Sequence, residues 1–105
     1  MPRGRQELSY TKVRLFAEKW EWRMEGENYW HVGYDAPKNC VQKRQVPFNV
    51  VALSSKGHVL KGRCITLKVD KKRMMREVKF VETGDIRWIL DKLVVSIDGI
   101  YFYAH

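Results

Sequence analysis

Val59-Leu-Lys-Gly-Arg-Cys-Ile-Thr-Leu-Lys-Val69 is the stretch that decides the fold class of this chain. Apolar and polar residues alternate along it, which is the two-residue period of a strand with one buried face. The alternation changes phase at Gly62, because Leu60 occupies one register whereas Ile65 and Val69 occupy the other. A glycine at such a shift is typical of a β-bulge or a sharp bend. The segment therefore predicts one long, bent strand.

Short strands are predicted on both sides of this segment. An apolar run that ends in a Ser-Ser-Lys-Gly turn precedes it, and alternating apolar residues follow at 86–90 and 93–97. Asp98-Gly99 is the strongest short hairpin signal, and a last strand follows it. Five or six strands within residues 48–104 favour a mainly β fold, a small, partly open antiparallel barrel of the SH3, Sm or OB kind, because closure removes exposed sheet edges.

Residues 11–24 leave two interpretations open, a helix and a hairpin. In a helix, Val13, Phe16 and Trp20 share one apolar stripe. In a strand, Trp20 and Trp22 alternate with charged residues before the chain turns back. A helix would leave one of these two tryptophans exposed as a contact surface. Either element is expected to pack against the barrel.

Strand-forming and turn-forming residues predict the structure of the remaining N-terminal segments. Alternating aromatics and Val predict a strand at 29–34, and the prolines and turn residues of 35–47 predict a loop. Residues 1–8 have the composition of a flexible basic tail. Residues 9–105 are then expected to form a single β-rich domain, with its barrel core at about 48–104.

Positive charge is concentrated in the middle of the chain. The 105 residues include 20 lysines and arginines against 12 carboxylates, a net charge of +8. Between Lys38 and Lys79 the net charge is +10, whereas residues 1–37 are balanced and residues 80–105 carry −2. Charge held in one part of a domain creates a local field, and this field favours polyanionic or acidic partners.

The predicted strand–turn–strand around residue 71 would gather these cations along one ribbon. Lysines and arginines there would neutralise phosphates and release counterions, and two tyrosines of the last strand would stack on bases. The predicted nucleic-acid-binding residues are Lys61, Arg63, Lys68, Lys71, Lys72, Arg73, Arg76, Lys79, Tyr101 and Tyr103. Two alternatives remain open: a solvated hairpin whose charges protect a sheet edge, and a docking site for an acidic protein. Trp88 is expected in the core.

No residue pattern indicates catalysis, a metal or a cofactor. His31, His58 and His105 are isolated and widely spaced, and Cys40 and Cys64 have no companion cysteine at metal-ligand spacing. Phosphate-binding glycine loops of the Gly-x-x-x-x-Gly-Lys and Gly-x-Gly-x-x-Gly types are missing from the sequence. The chain is therefore expected not to be an enzyme and to have neither catalytic nor metal-binding residues.

The first residues read Met-Pro-Arg-Gly-Arg-Gln and no apolar region follows them, so no signal peptide is expected. No run approaches the ~18 apolar residues of a membrane span. These features predict a cytoplasmic protein with reduced thiols and no membrane partner.

The function expected from these patterns is non-catalytic, weakly sequence-specific binding of nucleic acid, either DNA or RNA. The alternative is a protein-interaction module, an accessory or inhibitor protein whose Trp-rich N-terminal segment contacts an acidic partner. A free edge strand would also allow pairing into a homo-oligomer.

Overall fold

Two β-sheets and one short helix make up the computed structural model, which describes residues 7–104. The mainly β class predicted from the sequence is confirmed. The strands are β1 (Glu7–Ser9), β2 (Trp20–Arg23), β3 (His31–Gly33), β4 (Gln42–Gln45), β5 (Phe48–Leu53), β6 (Val59–Asp70), β7 (Met75–Phe80), β8 (Ile86–Leu90), β9 (Val94–Ile97) and β10 (Ile100–Tyr103). The helix α1 spans Arg14–Ala17, and short 3-10 turns precede it at Tyr10–Lys12 and follow β8 at Asp91–Leu93. No helix of the described residues has the length and apolarity needed to cross a membrane.

Seven strands form the large sheet, in the order β1-β10-β9-β5-β6-β7-β8. Its end strands β1 and β8 do not pair with each other in the described part of the chain, so the sheet is open and the predicted barrel is not confirmed. Near the two ends of the sheet, the turn at Tyr10–Lys12 contacts the turn at Asp91–Leu93. After the three residues of β1 the chain leaves the sheet toward α1, and within residues 7–104 β8 pairs with β7 alone.

The core lies between α1 and one face of the large sheet, which we call the inner face. Along β5 the buried residues Phe48, Val50 and Ala52 define this face, and the intervening residues point to the opposite, outer face. The buried core comprises Val13, Ala17, Phe48, Val50, Ala52, Cys64, Val78, Ile89, Val94, Ile97 and Phe102. The outer face of β6 and β7 is left to solvent.

The long strand around residue 65 is confirmed as β6, but its phase shift is not at Gly62. The pairing of β6 with β7 shifts register between Thr66 and Lys68, which leaves Leu67 as the extra residue of a bulge. Gly62 instead continues the inner face, opposite Val50. A Cβ atom at Gly62 would lie 3.0 Å from the Phe80 ring, so glycine is required there for close packing.

The N-terminal region combines both predicted elements. Helical structure comprises the 3-10 turn at Tyr10–Lys12 and the four residues of α1. The chain then enters β2, which pairs with both β3 and β4 to form the small sheet. The predicted loop at 35–47 is wrong in part, because β4 lies within it. Of the predicted tail at 1–8, residues 1–6 lie outside the described residues, whereas Glu7 and Leu8 belong to β1.

Candidate nucleic-acid interface

Cross-strand register places Lys61 and Arg63 on the outer face of the large sheet. Lys61 lies opposite Val51 of β5, and Arg63 lies opposite Asn49. Residues directly opposite each other in an antiparallel pair share one face. Val51 and Asn49 alternate with the buried residues of β5, so both cations project on the solvent side.

Lys79 and Lys68 join them from the neighbouring part of the ribbon. Lys79 of β7 lies opposite Ile65, whose neighbour Thr66 is buried on the inner face. Lys68 lies opposite Glu77, and it reaches the outer face only because the bulge shifts the register by one residue. An uninterrupted strand would place Lys68 on the same side as Thr66, since side chains repeat every two residues.

The turn between β6 and β7 carries Lys71, Lys72 and Arg73, which are all exposed. A carboxylate oxygen of Asp70 accepts a hydrogen bond from the Arg73 backbone N–H at 3.1 Å and shapes this turn. The Arg73 side chain lies 4.0 Å from the same carboxylate, which offsets part of its charge. The turn therefore extends the basic surface beyond the end of the two strands.

Arg76 is not part of this surface, and the prediction that it contacts phosphate is wrong. Its side chain is 2% exposed on the inner face, in alternation with Glu77. Its Nε and Nη2 atoms donate to the two carboxylate oxygens of Asp91 at 2.8 and 3.1 Å, and Nη1 donates to Glu18 at 3.2 Å. The sequence signal for this burial was the two-residue spacing between Arg76 and the apolar Val78, which places both side chains on the same face of the strand.

The carboxylates of Asp91 and Glu18 stabilise the positive charge of Arg76. Burial opposes the charged guanidinium, but hydrogen bonding and the charge of Asp91, together with Glu18, outweigh it and raise the pKa of Arg76. Glu18 follows α1 directly, and Asp91 begins the turn after β8. Arg76 therefore connects the helix and the end of β8 to the centre of the large sheet, which is a structural role.

The remaining cations of the ribbon have no carboxylate partner within ion-pair distance among residues 7–104. This applies to Lys61, Arg63, Lys68 and Lys79 on the outer face, all of which are exposed. Glu77 lies opposite Lys68 on the outer face, and Glu82 and Asp85 line the same surface depression as Lys61 and Arg63. We call the outer-face set of Lys61, Arg63, Lys68 and Lys79 the basic face.

Tyr101 and Tyr103 lie on the outer face, but at a distance from the basic face. Register connects Tyr101 to Ser96, Ser96 to Val51, and Val51 to Lys61, so that Tyr101 and Lys61 lie in one row across the sheet. Three strand spacings separate them, roughly 14 Å. The structure therefore places the two tyrosines on the same face of the sheet as Lys61, but three strands away from it.

Trp88 lies on the outer face next to the basic face, and its predicted place in the core is wrong. It lies opposite Glu77 on the outer face of β8 and is 46% exposed. The alternation of Ile86, Trp88 and Leu90 showed in the sequence that they share a face. It could not show that this face is uncovered, because that depends on which elements pack against the sheet.

The two cysteines are free thiols in different environments. Burial, with the charge of Asp98 adding to it, raises the pKa of the Cys64 thiol to about 12, so this side chain is a core residue and not a nucleophile. Cys40 is partly exposed. Within residues 7–104, His, Cys, Asp and Glu form no group of three or more that could hold a metal ion.

Comparisons of this chain with known proteins identified no relative. No protein-family model matches the sequence, and neither the search of curated proteins nor that of solved structures found a match. The functional argument therefore rests on the surface itself, above all on the basic face.

Proposed function

We propose that this protein binds nucleic acid through its basic face, without catalysis and with little sequence specificity. The observation that carries the proposal is that Lys61, Arg63, Lys68 and Lys79 share one exposed face of two neighbouring strands and have no ion-pair partner in the described part of the chain. Unpaired cations at fixed spacing keep their full charge for phosphates.

The spacing of these cations suits a charged polymer. Successive same-face residues of a strand, such as Lys61 and Arg63, are about 6.6 Å apart, and neighbouring strands are about 4.8 Å apart. Three cations along β6, with Lys79 beside them on β7, can neutralise several phosphates at once, and Lys71 and Lys72 add two more at the turn. Binding releases the counterions condensed on the nucleic acid, which supplies most of the free energy of nonspecific association.

Weak sequence specificity follows from the elements available. Base edges are usually contacted by a helix or ribbon that enters a groove with several polar side chains directed at the bases. Helix α1 has four residues and packs on the inner face, on the side away from the cations. Stacking of a base on Tyr103 would add a smaller contribution than the phosphate contacts, because it lies across the sheet from them.

The test is a charge reversal on the basic face. The double variant Lys61→Glu/Arg63→Glu is compared with Lys12→Glu/Lys38→Glu, two exposed lysines elsewhere, which changes the net charge equally. Fluorescence anisotropy with single-stranded and duplex oligonucleotides would measure affinity between about 50 and 200 mM salt. We expect the first variant to lose most of the affinity and to show a smaller salt dependence, whereas the second keeps the wild-type slope.

Two results would contradict the proposal. One is a wild-type affinity that stays constant across this salt range, since phosphate contacts always depend on salt. The other is an equal loss in both double variants, which would mean that net charge alone attracts the oligonucleotide.

The small sheet supports a second candidate function, a contact surface for another protein. None of the strand residues of β2, β3 and β4 is fully buried, although Trp20 and Trp22 lie there. Half-exposed tryptophans are common at the centres of protein interfaces. If the basic face is the functional surface, Trp22→Ala leaves oligonucleotide affinity unchanged. Loss of affinity in this variant would transfer the function to the small sheet.

A further inference from the structure

Strand β8 is one edge of the large sheet, and its register fixes which of its backbone groups point away from β7. The Phe80 N–H donates to the Asp85 carbonyl at 2.8 Å, and the Asp91 N–H donates to the Met74 carbonyl at 2.9 Å. These contacts mark hydrogen-bonded pairs at both ends of the β7–β8 ladder. Hydrogen-bonded and non-hydrogen-bonded pairs alternate along an antiparallel ladder. Every second residue of β8 therefore directs its backbone groups away from β7.

These outward-directed residues are Ile86, Trp88 and Leu90. In residues 7–104 the only strand that pairs with β8 is β7, so their N–H and C=O groups face the open edge. There the Ile86 carbonyl accepts a long hydrogen bond of 3.5 Å from Nη1 of Arg87, an exposed contact that a partner strand would replace. The side chains of the same three residues lie on the outer face, where Ile86 is 48% and Trp88 46% exposed. Natural edge strands are usually protected by proline, lysine or a bulge. Residues 86–90 contain none of these, and Arg87 is their one charged residue.

We propose that β8 pairs antiparallel with β8 of a second copy of this chain, with Trp88 on the twofold axis. Trp88 then lies opposite Trp88 of the partner subunit, and Ile86 lies opposite Leu90 of the partner subunit. Each of these pairs exchanges two N–H···O bonds and brings two apolar side chains together on the outer face. The same patch serves both copies, as a twofold interface requires.

The charge of Arg87 selects this register. Centring the pair one residue earlier would place Arg87 directly opposite its own copy, and like charges in that position destabilise a sheet. With Trp88 on the axis, the two arginines are diagonal neighbours about 7–8 Å apart, close to the screening length at physiological ionic strength. On the outer face Glu77, and not a lysine, lies beside Trp88.

A second strand fits this edge better than a polyanion does. The edge presents alternating donors and acceptors, and a phosphate backbone could accept from the N–H groups but would leave the C=O groups without partners. A short edge contact buries little area, so the dimer is weak and depends on concentration. Each copy has a net charge of +8. Added salt therefore strengthens the dimer, whereas it weakens nucleic-acid binding.

Sedimentation equilibrium of the full chain without nucleic acid tests the proposal. We expect a monomer–dimer equilibrium that shifts toward dimer as salt is raised. Trp88→Pro removes one edge N–H and no bond of the β7–β8 ladder, and it should raise the dissociation constant at least about tenfold. Trp30→Ala, a matched loss of a tryptophan in the N-terminal region, should leave the equilibrium unchanged. A chain that stays monomeric at all concentrations and salt levels would overturn the proposal.

Cross-linking decides the register even if Trp88→Pro fails to fold. In a Cys40→Ser background, Trp88→Cys would bring two Cα atoms to about 5.5 Å across the axis, within disulfide range. A mild oxidant should therefore yield a covalent dimer from Trp88→Cys and not from Arg87→Cys. Cross-linking of Arg87→Cys alone, or a dimer without any Trp88→Cys product, would show that another edge or another segment forms the contact.

Discussion

The large and small sheets are stabilised by different interactions. The large sheet buries an apolar inner face against α1, with residues such as Phe48 and Ile97 almost fully excluded from water. No strand residue of the small sheet is fully buried. Removal of apolar area from water is the dominant stabilising contribution in folding. The comparison indicates that the large sheet provides the global stability of the chain and that the small sheet depends on it.

Aromatic and charged contacts hold the small sheet instead. The Trp22 ring stacks on His31 at 5.7 Å, and the Tyr29 ring meets His31 edge-on at 5.1 Å. The Arg44 guanidinium lies 4.0 Å from the centre of the Trp30 ring. Such exposed contacts contribute about 0.5–1 kcal/mol each. The small sheet should therefore open locally at a lower free energy than the large sheet.

The largest difference is expected from breaking one ion pair in each region. Asp91→Ala leaves Arg76 charged on the buried inner face and should lower the free energy of unfolding by about 3–5 kcal/mol. Glu21→Ala breaks the Glu21–Arg44 pair, which has an N···O distance of 3.1 Å and lies near the surface. Its cost should stay below about 1 kcal/mol. Urea unfolding of both variants measures the two values.

A double variant separates the buried charge from the lost packing. Arg76→Met/Asp91→Leu removes the two buried charges and keeps apolar volume, whereas Glu18 is 32% exposed and keeps its contact with water. The double variant should therefore recover most of the stability lost in Asp91→Ala. Equal losses in Asp91→Ala and Glu21→Ala would remove the distinction between the two sheets.

Alanine at one glycine of each sheet gives a smaller contrast. Gly62 has φ +150°, and a Cβ there would meet the ring of Phe80, which packs against the core, so Gly62→Ala should cost about 1–3 kcal/mol. At Gly33 the new Cβ would lie 2.8 Å from Cη2 of Trp22, at the far end of a half-exposed side chain. Gly33→Ala should cost less than about 1 kcal/mol and should displace the Trp22 ring from His31. Urea unfolding and near-UV circular dichroism measure the two effects, and a larger loss at Gly33 would contradict the comparison.

The smallest expected effect is a change in one titration within the small sheet region. A hydrogen bond from Tyr29 to Glu27, together with the charge of Glu27, raises the pKa of the Tyr29 hydroxyl. Glu27→Gln removes that charge, so Tyr29 should lose its proton at a lower pH than in the wild type. Glu25→Gln makes the same change of charge two residues away and should leave the titration in place. NMR of the tyrosine ring signals during a pH titration provides the measurement, and no difference between the two variants would exclude this contact.

Much of the strand content followed from local patterns. The Asp98-Gly99 hairpin is present, with both residues at positive φ and with Ile97 opposite Ile100. The long strand β6 was recognised from its alternation, but its bulge at Leu67 was not, because the sequence there shows no glycine or break. Strand β4 was missed because its four residues are all polar, so no alternation of polar and apolar residues marks it as a strand.

The position of the candidate site was predicted in part. Concentrated charge between residues 38 and 79 led directly to the basic face, because charge is counted without knowing the fold. The list of residues on this face was predicted less well: Lys68 belongs to it through the bulge, and Arg76 was assigned to it wrongly. The two-residue period of a strand shows which residues share a face of the sheet, but an insertion of one residue moves all later side chains to the opposite face.

Composition and short-range patterning were enough to establish a β-rich domain with its cations in the middle of the chain. The burial of Arg76 and the exposure of Trp88 required long-range packing, and so did the openness of the edge at β8. Whether a face meets α1, another strand or water depends on segments far away along the chain. Local periodicity contains no information about those segments, and for that reason only the assembled sheets reveal which side chains remain available for binding.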